Sequence, residues 1–392
     1  MGIHEIPQEQ LKKIHKVVES SPISNDTLFT GASGLILYYY YAAEFFNDND
    51  MYSKGQELIS SLFDRINTNK AIFLGYPLSL GALGFAYTAN HLTKRGFIEL
   101  ETDSELSELE DYIYESALKD FDSDRIDYLH GSLGTLLFYL TKDVNKKNTN
   151  RINILFNKLA SKAIYTSDGV RFVNLGLKRF TNMDIDLSLA HGLSGFLLLV
   201  LKAWPVLENK EEAKKIVREG IRFISARKLP IRFPEDDFSL YATAFKEGDK
   251  EMKRFNRLAW CYGDLNFVLL LHRAANVLNC YEYSELAMQI GANTVLRKDE
   301  KSTMVNDSHF CHGSSGLFVM YQTLFRETGL SMYEDAMNYW YDQTVMFTAL
   351  DLEKNKYTNG SISLLEGWTG VALSLISKFD TERSCWQEIF LL

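Results

Sequence analysis

A short pattern, Gly-x-x-Gly followed by an apolar, aromatic-rich run, recurs along these 392 residues and constrains the fold more than any other feature. It stands at Gly31-Ala-Ser-Gly34, Gly81-Ala-Leu-Gly84, Gly131-Ser-Leu-Gly134, Gly192-Leu-Ser-Gly195, Gly313-Ser-Ser-Gly316 and Gly367-Trp-Thr-Gly370. A seventh copy, Gly263-Asp-Leu-Asn266, carries Asn where the second glycine belongs. The first glycines follow one another at steps of 50, 50, 61, 71, 50 and 54 residues. Regular self-similarity of this length marks an architecture of stacked or closed repeats.

The runs after the glycines, such as Leu35 to Phe46, Leu133 to Thr141 and Leu193 to Trp204, are apolar nearly all round, as befits helices buried on most sides. Charged stretches alternate with them: Pro7 to Ser20, Ser53 to Ile66, Ser104 to Lys119, Asn209 to Ser225 and Met332 to Met346. In the fourth of these, Ala213, Ile216, Val217, Ile221 and Ile224 recur at helical spacing, so one face is apolar. The repeat unit is therefore an outer amphipathic helix, a connector, a glycine turn and an inner apolar helix. Seven such units predict an all-α chain, an α/α toroid of seven inner and seven outer helices, in which closure removes the exposed ends that an open solenoid must cap. We expect a single toroid domain over residues 1–392 with no inserted second domain. The glycines allow a positive φ or a close backbone approach where the chain turns into each inner helix.

Three connectors are long, about 166–190, 228–260 and 350–366. The first holds Val170-Arg-Phe-Val-Asn174, which reads as a short strand; the second holds Pro230, Pro234 and the acidic Glu235-Asp236-Asp237. Connectors of this length in a compact domain are usually functional or disordered.

A net charge of −9 argues against a general nucleic-acid binder. The stretch from Met1 has no apolar h-region and carries Ile6 where N-myristoylation needs Ser or Thr. No uncharged run approaches the ~20 apolar residues of a spanning helix. Four cysteines without an export signal read as reduced thiols. The expectation is a cytoplasmic protein that meets a membrane only indirectly.

Two of the seven turns carry soft metal ligands. Trp260-Cys261-Tyr262-Gly263 and Phe310-Cys311-His312-Gly313 place a cysteine two residues before the first glycine of adjacent repeats, and His312 follows Cys311 directly. Equivalent positions in a closed ring meet in space, so Cys261, Cys311 and His312 are expected to converge on one zinc ion. Two thiolates and an imidazole with an open fourth position form an accepted catalytic set. Cys280 and Cys385 lack such a context and read as structural. Other candidates for the same level come from neighbouring turns. His191 and His130 each directly precede a first glycine, as His312 does; Asp127 lies four before Gly131, Arg257 four before Cys261, and Tyr262 follows Cys261.

Trp260-Cys-Tyr-Gly, Cys311-His-Gly and Ala190-His-Gly, spread over seven glycine turns, resemble the lanthionine synthetase C family across essentially the whole chain. The resemblance implies an α/α toroid of fourteen helices with a catalytic zinc. It implies a zinc-dependent lanthipeptide cyclase, which adds peptide cysteine thiols to dehydroalanine or dehydrobutyrine and closes lanthionine or methyllanthionine rings. By motif, Cys261, Cys311 and His312 match the zinc ligands, His191 the acid/base histidine, Asp127 its orienting carboxylate, and Arg257 and Tyr262 their neighbours. His130 departs from the family pattern and stands as an alternative acid/base. The short step between the second and third repeats leaves no room for a small domain inserted in a relative's toroid. The implied partners are a dehydrated precursor peptide and, on the outside of the ring, a lanthipeptide dehydratase and a transporter. Other readings are an enzyme that adds glutathione or another small thiol to dehydrated residues, and a non-catalytic zinc-bearing scaffold.

Overall fold

Every glycine turn is followed by a helix: Ala32–Phe46, Ala82–Lys94, Leu133–Thr141, Leu193–Ala203, Asp264–Leu278, Ser314–Thr328 and Trp368–Ser377. Between them run the amphipathic helices Glu5–Glu19, Asn49–Asn67, Ser107–Asp122, Lys146–Ser161, Lys210–Ser225, Tyr281–Leu296 and Ser331–Glu353. The computed structural model describes residues 5–176, 183–230, 236–248, 252, 254–379 and 385–392. Met1, Pro234 and Glu235, which entered the readings of the N-terminus and the acidic connector, lie outside the described residues.

The two helix types differ as their sequences require. In Leu193–Ala203 every residue but Lys202 is buried. In Lys210–Ser225 the buried set is Ala213, Ile216, Val217, Gly220, Ile221, Phe223 and Ile224, a single stripe, and the Asn209 side chain caps the helix by accepting from the Glu212 N–H. The stretch 104–119, expected as one helix, divides into Thr102–Glu105 and Ser107–Asp122, and Leu106 is buried between the two pieces.

The chain forms two compact units, one of residues 1–113 with 306–390, the other of 114–305. In the first, Trp368–Ser377 packs on both Ala32–Phe46 and Ser314–Thr328, and Ala32–Phe46 packs on Ala82–Lys94. The helix after the last glycine turn is thus a neighbour of the helix after the first. The turns are laced in the same order: Leu364 N–H donates to Phe29 O at 2.9 Å and Cys311 N–H to Leu365 O at 2.8 Å.

In the second unit Leu193–Ala203 packs against Leu133–Thr141 and Asp264–Leu278. The long connectors carry the strands. Ile164–Thr166 pairs antiparallel with Gly169–Arg171, and Ile185–Asp186 pairs antiparallel with Ala244–Phe245. The strand expected over 170–174 stops at Arg171, because the following residues leave the sheet and Asn174 bonds elsewhere.

The glycines serve two different needs. At Gly195 the backbone is helical, and a Cβ would collide with the Leu189 carbonyl, so the second glycine is required by a close approach. At Gly263, the turn of the degenerate repeat, φ is 119°, a conformation that side-chain-bearing residues rarely adopt.

Candidate active site

The degenerate repeat positions Cys261. Asn266, in place of the second glycine, donates from Nδ2 to Trp260 O at 2.8 Å and accepts from Leu189 N–H at 3.0 Å. It is almost fully buried. Leu189 and Ala190 N–H groups also both lie 3.1 Å from Cys261 O. The turn that carries His191 and the turn that carries Cys261 are therefore joined through main chain and one amide side chain. Sequence reading registers Asn266 only as a lapse in the repeat, although a polar residue where glycine is the rule is itself a signal.

Asp127 is fully buried and uses both oxygens. Oδ1 accepts from the N–H groups of Leu129 and His130 at 2.9 and 2.7 Å, closing the turn before Gly131. Oδ2 lies 2.9 Å from His191 Nδ1 and accepts from Asn174 Nδ2 at 2.9 Å. Burial by itself would push the Asp127 carboxyl up. Attraction to His191, the hydrogen bond from it, and the attraction and main-chain hydrogen bond of His130 outweigh that, so Asp127 lies below the usual carboxylate range. A carboxylate only accepts, so His191 Nδ1 carries the proton and Nε2 is the unprotonated nitrogen of the neutral ring. The His191 side chain keeps 28% of its exposure.

His130 stacks on His191, and its backbone N–H donates to Asp127. Burial pushes His130 below the usual histidine range and the nearby His191 adds to this, against the attraction of Asp127. A small cavity beside His191 is lined by Arg171, Phe172, Asp184, Asp186 and Phe196.

Cys311 Sγ and His312 Nε2 are 3.6 Å apart, and tetrahedral zinc with ordinary bond lengths separates a sulfur and a nitrogen ligand by about 3.6 Å. Cys261 and Cys311 are buried and His312 is partly exposed. Cys311 and His312 are therefore spaced as two ligands of one zinc ion are. The edge of one imidazole faces the other in the His309–His312 pair, 5.7 Å between centroids, and His309 Nδ1 lies 2.6 Å from Asp307 Oδ1.

Arg257 and Tyr262 are half-buried on the segment that leads through Cys261. The Arg257 Nε is buried without a hydrogen-bond partner among the described residues, and the Tyr262 ring lies 5.4 Å from that of Phe255. The same segment is anchored from behind. Arg297 donates to Asp264 at 3.0 Å, to Ser302 O at 2.9 Å and to Asn256 O. Asp264 also accepts from the N–H groups of Leu240 and Tyr241. Cys280 precedes the helix Tyr281–Leu296 and donates to Glu282, while Cys385 is exposed.

Residues 22–391 match the family described as Lanthionine synthetase C-like protein. Among solved structures the chain is similar to one titled "Nisin cyclase", with a TM-score of 0.78 and 18% identity, covering 99% of this chain and 97% of that one. That likeness shows the fold, an α/α toroid. No curated protein matches the chain by sequence. No helix among the described residues is long and apolar enough to cross a membrane. The family match spans nearly the whole chain, and the chain belongs to the lanthionine synthetase C-like family.

Proposed function

We propose that this protein is a zinc-dependent lanthipeptide cyclase, with Cys261, Cys311 and His312 as the metal ligands. The observation that supports this reading is the 3.6 Å between Cys311 Sγ and His312 Nε2, the separation of two ligands on one zinc ion, in a chain of this family. A bound zinc ion would supply deprotonation of a substrate thiol near neutral pH, where a free thiol is mostly protonated.

The side chains around the metal ligands suit the remaining chemistry. The substrate thiolate forms a C–S bond to the β-carbon of dehydroalanine or dehydrobutyrine, the C=C π pair moves to an enolate, and Cα then takes a proton. His191, in its imidazolium form, is the donor of that proton from Nε2, since Nδ1 is committed to Asp127. Asp127 keeps the ring oriented and stabilises its charged form. Arg257 brings a guanidinium whose buried Nε has no hydrogen-bond partner among the described residues, and the enolate oxygen is the anion it would stabilise. Tyr262 and Phe255 form an aromatic wall beside Cys261. The "Nisin cyclase" likeness adds a peptide as the substrate class.

The test is direct. A dehydrated, cysteine-containing precursor peptide is incubated with protein and zinc, then treated with iodoacetamide and weighed by mass spectrometry. Loss of alkylatable thiols without change in peptide mass is expected. Thiols that persist in full would sink the reading; if added glutathione then joins the peptide, the small-thiol reading replaces it.

A further inference from the structure

Asn174 is nearly buried and stands three residues beyond the strand Gly169–Arg171, far in sequence from the groups it touches. Its Nδ2 donates to Asp127 Oδ2 at 2.9 Å and to the His191 carbonyl at 3.0 Å, while Oδ1 accepts from Gly176 N–H at 3.1 Å. Each partner can play only one part: a carboxylate and a carbonyl accept, a backbone N–H donates. The orientation of the amide is thereby determined. The segment is held in place as well, since Leu175 N–H donates to Asp124 O at 2.8 Å. One amide nitrogen thus ties the carboxylate that orients His191 to the main chain that carries His191.

We infer that Asn174 is a positioning residue for the His191–Asp127 pair, holding the carboxylate against Nδ1 so that His191 keeps one tautomer and one ring orientation. The inference rests on the cyclase reading for its effect on rate, but the tautomer itself is independent of that reading. Without the amide, Asp127 Oδ2 has one fixed partner instead of two, and the carboxylate is held from the Oδ1 side and by His191 itself. The main chain at His191 also loses its tie to that carboxylate. Groups that orient a functional histidine from behind have effects of about 10–100-fold when removed. The connector that follows the helix Lys146–Ser161 has a purpose on this account: it delivers Asn174 to the Asp127 carboxylate.

Asn174→Ala and the nearly isosteric Asn174→Asp are made in the full chain and checked for zinc content and thermal unfolding. Histidine ¹⁵N spectra of wild type and variants, with His191→Asn to assign the signal, report the His191 tautomer. The expected result is a single Nδ1–H tautomer in wild type and a mixture or an exchange-broadened signal in both variants. The kcat for ring closure should fall about 10–100-fold, with KM and zinc content little changed. A variant that folds, keeps the wild-type tautomer and keeps kcat overturns the inference. If Asn174→Ala fails to fold, Asn174→Asp retains the acceptor for Gly176 and gives the same readout. A wild-type protein that closes no ring defeats the cyclase reading instead, and the spectra still decide the role of Asn174.

Discussion

The imidazole of His130 lies over that of His191, with ring centroids 5.3 Å apart and planes 15° from parallel. Two rings in this arrangement resist carrying charge together, and His191 has the Asp127 carboxylate on Nδ1. His191→Asn is therefore expected to lower kcat by about 10²–10⁴-fold with zinc content intact. His130→Asn should cost far less. Steady-state ring-closure rates and metal analysis check both; a larger loss in His130→Asn would exchange their roles.

The proposed metal ligands make a separate prediction. Cys311 is buried and its sulfur stands 3.6 Å from His312 Nε2. Cys311→Ala should lose stoichiometric zinc and activity together, as should prolonged treatment of wild type with a strong chelator. Metal content by mass spectrometry is the measurement. A Cys311→Ala protein that retains one zinc per chain would refute the ligand set.

Acid sensitivity should trace in part to a histidine outside the site. His91 is buried, with Nε2 2.9 Å from the Tyr41 hydroxyl, and burial, helped by repulsion from Arg95, takes its pKa down to about 4. The unfolded chain binds this proton near the ordinary value of ~6.5. Between those two values the unfolded state holds more protons, so stability rises with pH across the window and is lost as pH falls from about 6.5 towards 4. The contribution is about 3 kcal/mol at full extent. Urea midpoints measured from pH 7 to pH 4 should decline in wild type, and less steeply in His91→Gln. Equal slopes would remove His91 as a cause.

The segment that carries Arg257 and Cys261 depends on a buried ion pair. Burial pushes Asp264 up, against Arg297 and the backbone donors that favour its charge. Arg297→Met leaves that carboxylate without its counter-charge and strips the fork from Asn256 O and Ser302 O. A loss of about 3–5 kcal/mol is expected. The double variant with Asp264→Asn should lose less than the sum of the single ones, because the two changes share one interaction. Urea denaturation of the four proteins tests this, and simple additivity would contradict the pairing.

Much of this protein follows from local periodicity. The glycine steps announce seven units, and the apolar runs and amphipathic stretches become buried and half-buried helices because burial of a helix face needs only the right spacing. Two cysteines at matching repeat positions, one beside a histidine, draw attention to a metal site through residue type and register alone. Tertiary structure decides what register cannot. His130 and His191 hold the same place in their repeats, yet Asp127, 64 residues before His191, sets Oδ2 against the His191 ring nitrogen and accepts the His130 backbone N–H on Oδ1. Asn174 and Asn266 show no periodic signal, since a connector and a broken repeat obey none. Their importance comes from hydrogen bonds to groups 47 and 77 residues away. Such bonds depend on where folded turns happen to meet, and a buried donor or acceptor must find its partner there, whatever the distance along the chain.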